Sequence, residues 1–339
     1  MKKIKIFCIF GTRPEAIKMA PIIEELKLHD WAEVIIIRSS QHQELLNDVL
    51  EVFDIKPDFD LNVMKKNQNL CNLTTSLIDR IYELAKNLKP NVILAQGDTT
   101  TTMAASMVSF YENIFFGHIE AGLRTWDLKN PFPEEANRVL ISKFSDMHFA
   151  PTEKTMNNLI NEGIPKSKVF ISGNTVIDAL LKIAKNNYEI DLNLNSNKKL
   201  ILVTIHRREN FKHLDSICKS LKAAASENPE AEFILPVHPN PNVSQVIKKN
   251  LSSIKNFKLI DALDYKSFIT LMKKSYFIIS DSGGIQEEAP ALGKPVLILR
   301  TKTEREEAIN EGVAKLIGTD YENVLKNINL LLKDKSTYI

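Results

Sequence analysis

Short runs of β-branched and other apolar residues alternate with amphipathic helical stretches from one end of the chain to the other, and this alternation restricts the fold most. The runs lie near residues 3–10, 33–39, 91–96, 115–119, 147–150 and 169–171, then near 200–205, 232–236, 257–260, 276–280 and 295–299. Between them the spacing predicts helices, among them 14–28, 72–88, 152–162 and 214–226. A strand buried on both faces reads as an unbroken apolar run, and a parallel neighbour is reached only through a crossover, usually helical. The chain is therefore expected to be α/β, built from Rossmann-like doubly wound sheets. At 339 residues it is long enough for about two such domains, and two domains imply a cleft. Residues 1–173 are read as the first domain and 199–339 as the second. Residues 174–198 connect them, through a helix near 176–185 and the Asn-rich stretch that begins at Tyr188.

Composition narrows the partners. With 44% hydrophobic and 25% charged residues the chain is neither disordered nor collagen-like nor a coiled coil. The 44 basic and 42 acidic side chains leave +2, too little to predict a nucleic-acid or membrane partner by bulk charge, so any anion site must be local. Trp31 and Trp126 form no stacking ladder, and RNA-binding signatures are missing. Cys8, Cys71 and Cys218 are far apart and odd in number, which suggests neither a disulfide framework nor a zinc cage and fits a reducing compartment. The amino terminus briefly looks like a signal peptide, but Lys5 interrupts the apolar run and no cleavage site follows; a buried first strand explains it better. No apolar stretch reaches the roughly 18 residues of a membrane span. A soluble cytoplasmic protein is expected.

In open parallel sheets the loops at the carboxyl ends of the strands form the binding crevice. The first run ends in Gly11-Thr12-Arg13-Pro14-Glu15-Ala16-Ile17-Lys18, where Thr12 suits an N-cap, Pro14 a first helical turn and Gly11 the tight turn before them. Such a helix start offers unpaired N–H groups, and Arg13 and Lys18 add charge where a phosphate would lie. It is not GxGxxG, so ordinary dinucleotide binding is not indicated, and a well-capped structural helix explains it equally well. The second series holds a stronger candidate, Asp281-Ser282-Gly283-Gly284-Ile285-Gln286-Glu287-Glu288. Adjacent glycines let backbone N–H groups approach a diphosphate, Ser282 adds a donor, and Glu287 or Glu288 would accept from ribose hydroxyls. The plain alternative is a tight turn with acids stabilising a helix start. Anion-friendly starts in both halves favour a nucleoside diphosphate.

Polar residues gather at other strand ends too. Asp98 lies in GDTTTT, Glu120 in HIEAGLRT, Glu134 and Glu135 in PFPEEANR, His206 in HRREN and His238 in HPNP. Taken singly, the acids are equally well read as caps or as partners of Arg124, Arg138, Arg207 and Arg208. A metal site is disfavoured, because these groups lie on separate loops beside arginines and lack metal-ligand spacing.

Taken in order, GTRPEAIKMAP, GDTTTT, HIEAGLRT, PEEANR, GNTVIDAL, HRREN and SDSGGIQEEAPALGKPV resemble the non-hydrolysing UDP-N-acetylglucosamine 2-epimerases over almost the whole chain. The resemblance implies the two-Rossmann-domain fold shared with GT-B glycosyltransferases, a homodimer, no cofactor, and interconversion of UDP-GlcNAc and UDP-ManNAc to supply ManNAc for surface polysaccharide. The implied chemistry eliminates UDP to give 2-acetamidoglucal and adds it back with a proton on the opposite face of C-2. By resemblance Asp98, Glu120, Glu134 and His206 fall on catalytic positions, without an assignment of carboxylate to sugar face. Arg13 and Lys18 fall on positions important for the diphosphate, and Ser282, Gly283, Gly284 and Glu288 on the UDP turn. Gln41, Gln68, Arg207 and His238 would correspond to a second-substrate site that activates some members.

The sequence departs from the family pattern in places. Asn67 and Glu44 stand where some regulated members carry Arg and Gln, and Thr303-Glu304-Arg305-Glu306-Glu307 lacks the proline of a TERPE segment. The family's last helix, packed back on the first domain, is expected to be lacking. Three other functions stay open: a hydrolysing epimerase releasing ManNAc and UDP, a GT-B glycosyltransferase, and an inactive UDP-sugar sensor. The GTRPEAIKMAP and EAGLRT segments favour the non-hydrolysing branch, the cluster of Asp98, Glu120 and Glu134 favours an epimerase over a transferase, and retention of the acids and His206 speaks against a sensor.

Overall fold

A computed structural model describes residues 2–39, 43–65, 68–186, 188–190, 192, 194–195, 197–238, 240–303 and 305–334, without the side chains of 43–45, 208, 242, 306 and 307. The chain divides into two compact units, Met1–Ala179 and Leu180–Ile339. The first runs β1 (Ile4–Phe10), α1 (Arg13–Lys27), β2 (Ala32–Arg38), α2 (Gln43–Val52), β3 (Phe59–Asp60), α3 (Leu70–Leu88) and β4 (Val92–Gln96). It continues with α4 (Thr100–Tyr111), β5 (Phe115–Ile119), α5 (Glu134–Phe144), β6 (Met147–Ala150), α6 (Glu153–Asn161) and β7 (Val169–Ile171). The division falls inside α7 (Thr175–Ala184). The second unit runs β8 (Lys199–Thr204), α8 (Leu214–Glu227), β9 (Ala231–Pro236), α9 (Pro241–Leu251), β10 (Phe257–Ile260), α10 (Tyr265–Lys274) and β11 (Phe277–Ser280). It closes with α11 (Gly283–Ala291), β12 (Val296–Ile298), α12 (Glu306–Asn310), β13 (Ala314–Leu316) and α13 (Tyr321–Lys333).

All strand pairs are parallel. The first sheet has the order β3-β2-β1-β4-β5-β6-β7 and the second β10-β9-β8-β11-β12-β13. The doubly wound α/β expectation holds for each unit. In each sheet the winding reverses once, between β1 and β4 and between β8 and β11, and a switch point of this kind opens a crevice beyond the carboxyl ends of its strands.

The helices form for local reasons and are held by packing. Along α3, Leu73, Leu77, Ile81 and Ala85 repeat every four residues and are buried as one stripe. Asn69 caps that helix by accepting from the Asn72 N–H at 2.8 Å, and Lys89 ends it in the left-handed region at φ 51°. Each fully buried Leu or Ile of such a stripe contributes about 1.5–3 kcal/mol, more than the cap does. By contrast α4, TTTMAASMVSFY, is buried almost all round, and its small residues let it lie between α3 and α5. In the second unit Ile217, Cys218, Leu221 and Ala224 of α8 pack with Val324, Ile328 and Leu332 of α13 over Phe233 and Phe277 of the sheet. The result of both cores is the same: strand ends at the switch points are held rigidly while their loops stay polar.

Candidate active site

The first unit gathers its polar groups at the β1/β4 switch point. Helix α1 begins at Arg13 behind the N-cap Thr12, with Pro14 in its first turn, as the sequence predicts. Its Glu15 is buried, and the carboxylate accepts from the N–H groups of Gly11 (3.0 Å) and Thr12 (2.7 Å) and from the hydroxyls of Thr99 (2.6 Å) and Thr102 (3.2 Å). One side chain therefore joins the β1–α1 turn to the start of α4. Burial raises its pKa against those hydrogen bonds, which pull the other way.

One turn further along α1, the Lys18 ammonium meets both oxygens of Glu120 at 2.7 and 2.6 Å. Glu120 follows β5 at φ 62°, in the left-handed region, and is buried. Asn174 donates to its Oε1 at 3.0 Å and Gln96, the last residue of β4, donates to its Oε2. Both carboxylate oxygens thus have more than one donor, as an ionised acid accommodates. Thr175 donates to the Lys18 carbonyl at 2.7 Å, so the start of α7 braces both members of the pair.

Asp98 stands beside them in the loop after β4. The Arg138 guanidinium lies 3.3 Å from its Oδ2, and the other Nη of Arg138 lies 2.9 Å from Glu135. Its backbone is clamped as well: Asn137 donates to the Asp98 carbonyl at 2.8 Å, and Nε2 of His118 lies 2.8 Å from the Gly97 carbonyl. A carbonyl only accepts, so that ring nitrogen carries the proton. Desolvation pushes the Asp98 carboxyl up to about 6 despite Arg138, with Glu120 and Glu134 pushing the same way and Lys18 opposing. Burial takes the His118 imidazole down to about 3, so it is a neutral brace. Glu134 opens α5 and is half-buried, with no hydrogen bond or ion pair to any described residue. The loop leading to it turns on Glu135, whose Oε1 accepts from the N–H groups of Thr125 and Trp126, both at 2.9 Å. Arg124, fully buried, forks onto Glu162 at 2.5 and 2.8 Å. The plain alternative thus holds for two of the acids beside the functional one, since Asp98 and Glu135 both pair with Arg138, whereas Arg124 pairs with Glu162 instead of any of them.

In the second unit the β8/β11 switch point carries His206, Arg207 and the turn into α11. Ser282 is the N-cap of that helix, and its N–H donates to the Ser280 hydroxyl at 2.9 Å. Gly283 is enclosed: a Cβ there would stand 2.8 Å from an Nη of Arg305 and 3.5 Å from one of Arg207. Two guanidinium groups therefore flank the free N–H groups of a helix start, an arrangement suited to an anion. Arg305 is steered by Glu287, whose Oε1 lies 2.6 Å from its Nε. Glu288 is buried beneath the turn, 3.5 Å from the Tyr265 hydroxyl. The His206 and His238 rings stack at 6.1 Å.

The sequence-predicted groups divide between the units. Lys18, Asp98, Glu120 and Glu134 come together in the first unit, joined through the pairs and fields above, while Arg13 is half-buried at the head of α1. His206, Arg207, His238, Ser282, Gly283, Gly284 and Glu288 belong to the second. Of the expected second-substrate residues, Gln68 lies before α3 and accepts from the Lys65 N–H at 3.1 Å, and Gln41 lies outside the described residues. Among the described residues no group of His, Cys, Asp and Glu is arranged to hold a metal, and no helix is long and apolar enough to cross a membrane.

Residues 24–339 match the family described as UDP-N-acetylglucosamine 2-epimerase. A UDP-N-acetylglucosamine 2-epimerase of Neisseria meningitidis serogroup A is 48% identical over 345 residues, covering 99% of this chain and 93% of the relative. The chain belongs to the UDP-N-acetylglucosamine 2-epimerase family. Membership makes it an isomerase. The crystal structure of the UDP-GlcNAc 2-epimerase from Neisseria meningitidis bound to UDP-GlcNAc is 47% identical, superposes with a TM-score of 0.90, and is covered to 93% by 99% of this chain. A glycosyltransferase of kitacinnamycin, 8% identical, reaches a TM-score of 0.67 over 100% of this chain and 93% of its own, which is a likeness of fold alone. The GT-B-like architecture expected for the epimerase family is thus present.

Several supporting residues of the two candidate clusters, one in each unit, carry no sequence signal. Glu15 reads as an ordinary first-turn acid, and Gln96 and Asn174 are neutral amides in segments that look structural. Asp281 stands two residues before a glycine pair, and its role emerges only when β8 and β11 are seen to be neighbours.

Proposed function

We propose that this chain interconverts UDP-GlcNAc and UDP-ManNAc without net hydrolysis. A carboxylate takes the C-2 proton, the C1–O bond to UDP breaks, and 2-acetamidoglucal forms; UDP then returns to C-1 while a proton is delivered to the other face of C-2. No atom is gained or lost. The observation that carries the reading is the difference between neighbouring acids in a chain of this family. Asp98, pushed up to about 6, can both give and take a proton near neutrality, whereas Glu120 is saturated by Lys18, Gln96 and Asn174. Asp98 is thus assigned proton transfer, with Glu134 as the acid on the other face. Glu120 fixes the Lys18 ammonium, and Arg13 and Lys18 meet the diphosphate. In the second unit Ser282, Gly283 and Gly284 take the UDP diphosphate, Glu288 its ribose, and His206 stabilises UDP as it leaves. The product feeds ManNAc to surface polysaccharide, made by a cytoplasmic homodimer.

Incubation with UDP-GlcNAc in D₂O tests this. UDP-ManNAc should accumulate with deuterium at C-2 in both nucleotide sugars, with no acceptor and no nicotinamide added. Free ManNAc and UDP as dominant products would show a hydrolysing enzyme, and binding without exchange would sink the enzymatic reading.

A further inference from the structure

The most completely enclosed ionisable group at the second switch point is Asp281, with no exposed surface. Its two oxygens lie 3.1 Å from the His206 N–H, and its Oδ2 also accepts from the Arg207 N–H (3.0 Å) and the Asn210 side-chain amide (3.0 Å). Asn210 in turn donates to the Leu299 carbonyl at 3.0 Å, which carries the tie on to the end of β12. Asp281 also begins the turn of Ser282 and Gly283, so one carboxylate sets the loop after β8 against the start of α11. Its Oδ1 lies 3.8 Å from His206 Nε2.

We propose that Asp281 is the positioning residue for His206, fixing its backbone through two N–H groups and facing its imidazole with Oδ1. The inference rests on the reading that His206 assists departure of the diphosphate. Three described groups act on that imidazole from the surrounding elements: Asp281 from the end of β11, His238 from the loop after β9, and Arg207 from its own loop. Desolvation, His238 and Arg207 all disfavour the imidazolium, and Asp281 alone among these charges opposes them. Without the carboxylate the ring would lose both its charge partner and the two amide anchors that aim it. Structural support is met at Oδ2, which takes the His206 N–H, the Arg207 N–H and the Asn210 amide. Oδ1 adds only a share of the His206 N–H, and it is the oxygen that faces His206 Nε2.

Asp281→Asn separates the two roles. Its amide oxygen can replace Oδ2 and keep the anchors, while an NH₂ replaces the oxygen facing the ring. In this variant the His206 resonances, followed by NMR in the full-length protein, should titrate at lower pH than in the wild type. kcat should fall by about tenfold or more with a smaller change in KM. Asn210→Ala is the control: it loosens the same loop but leaves the charge, and should leave the His206 titration where it is. An unmoved titration in Asp281→Asn, or an equal shift in Asn210→Ala, overturns the proposal. Should Asp281→Asn fail to fold, Asp281→Glu is read instead, since it keeps the charge and moves it; there an unchanged kcat overturns the proposal. The His206 titration needs no turnover, so it reads this inference even where the wild type fails to epimerise.

Discussion

Replacing Asp98 by Asn should make the first unit more stable while nearly abolishing turnover. The Asp98 carboxyl is raised from 3.8 to about 6, chiefly by desolvation that Arg138 only partly offsets, and its side chain is 29% exposed. At about 1.4 kcal/mol per pH unit, that displacement makes its ionisation in the folded state unfavourable by about 3 kcal/mol. The sign follows from proton binding. Between 3.8 and about 6 the unfolded chain has released the proton and the native site still holds it, so stability falls as pH rises through this window and the whole loss is present above it. Asn behaves as a permanently neutral Asp. The variant's advantage should therefore be about half developed at pH 5 and reach about 2–3 kcal/mol at pH 8, some of it blunted by solvent. For a unit of this size this is a rise in Tm of about 4–10 °C. Urea unfolding at pH 5, 6.5 and 8, with circular dichroism to check that both proteins are folded, measures the gap, and the same preparations assayed with UDP-GlcNAc should show kcat reduced by about 10²-fold or more. An Asn variant no more stable than wild type at pH 8, or a gap that does not change with pH, would refute the argument that its surroundings make ionisation of Asp98 unfavourable.

Truncating Glu15 to Ala takes the acceptor from the Gly11 and Thr12 N–H groups and the Thr99 hydroxyl, while Thr102 keeps the Gln96 carbonyl, so urea unfolding should show a loss of about 3 kcal/mol, with Gln losing less. Gly122→Ala should be among the most damaging single changes in the chain, because φ is 91° and a Cβ would be driven into the Thr155 carbonyl; a loss above about 3 kcal/mol in thermal or urea melts is expected. Gly283→Ala should behave oppositely: its Cβ meets only the side-chain ends of Arg305 and Arg207, so the melt should barely move while calorimetry shows UDP binding weakened about tenfold, and unchanged affinity would remove that turn from the site.

The alternation of apolar runs makes eleven of the thirteen strands among the described residues, and the doubly wound class of each unit, legible from sequence, though not the strand orders. The two strands it misses, β3 and β13, are two and three residues long and are pinned by neighbours rather than by their own β-branched content. Asp98, Glu120 and His206 stand out as candidates in the sequence because a polar residue at the carboxyl end of a buried strand has few structural uses. Their supports are not, because the partner of each lies far away in the chain. Asn174 reaches Glu120 across 54 positions and Asp281 reaches the His206 amide across 75, and only the sheet order makes them neighbours. Asp98 illustrates a further gap. Sequence marks it as an acid at a strand end, but its raised proton affinity comes from burial beside Glu120 and Glu134, which outweighs Arg138 and which no local pattern encodes.

Glu120 combines a left-handed backbone with a carboxylate locked among Lys18, Gln96 and Asn174. Such a backbone costs a side-chain-bearing residue about 1 kcal/mol that glycine would not incur, so selection for folding and selection for the carboxylate pull in opposite directions at this one position. A lineage released from the need to turn over substrate should therefore lose its acid there early, drifting toward Gly or Asn. Position 120 then serves as an evolutionary marker: descendants of this fold that keep Glu in that conformation remain under selection for chemistry, and those that relax it have taken up another use.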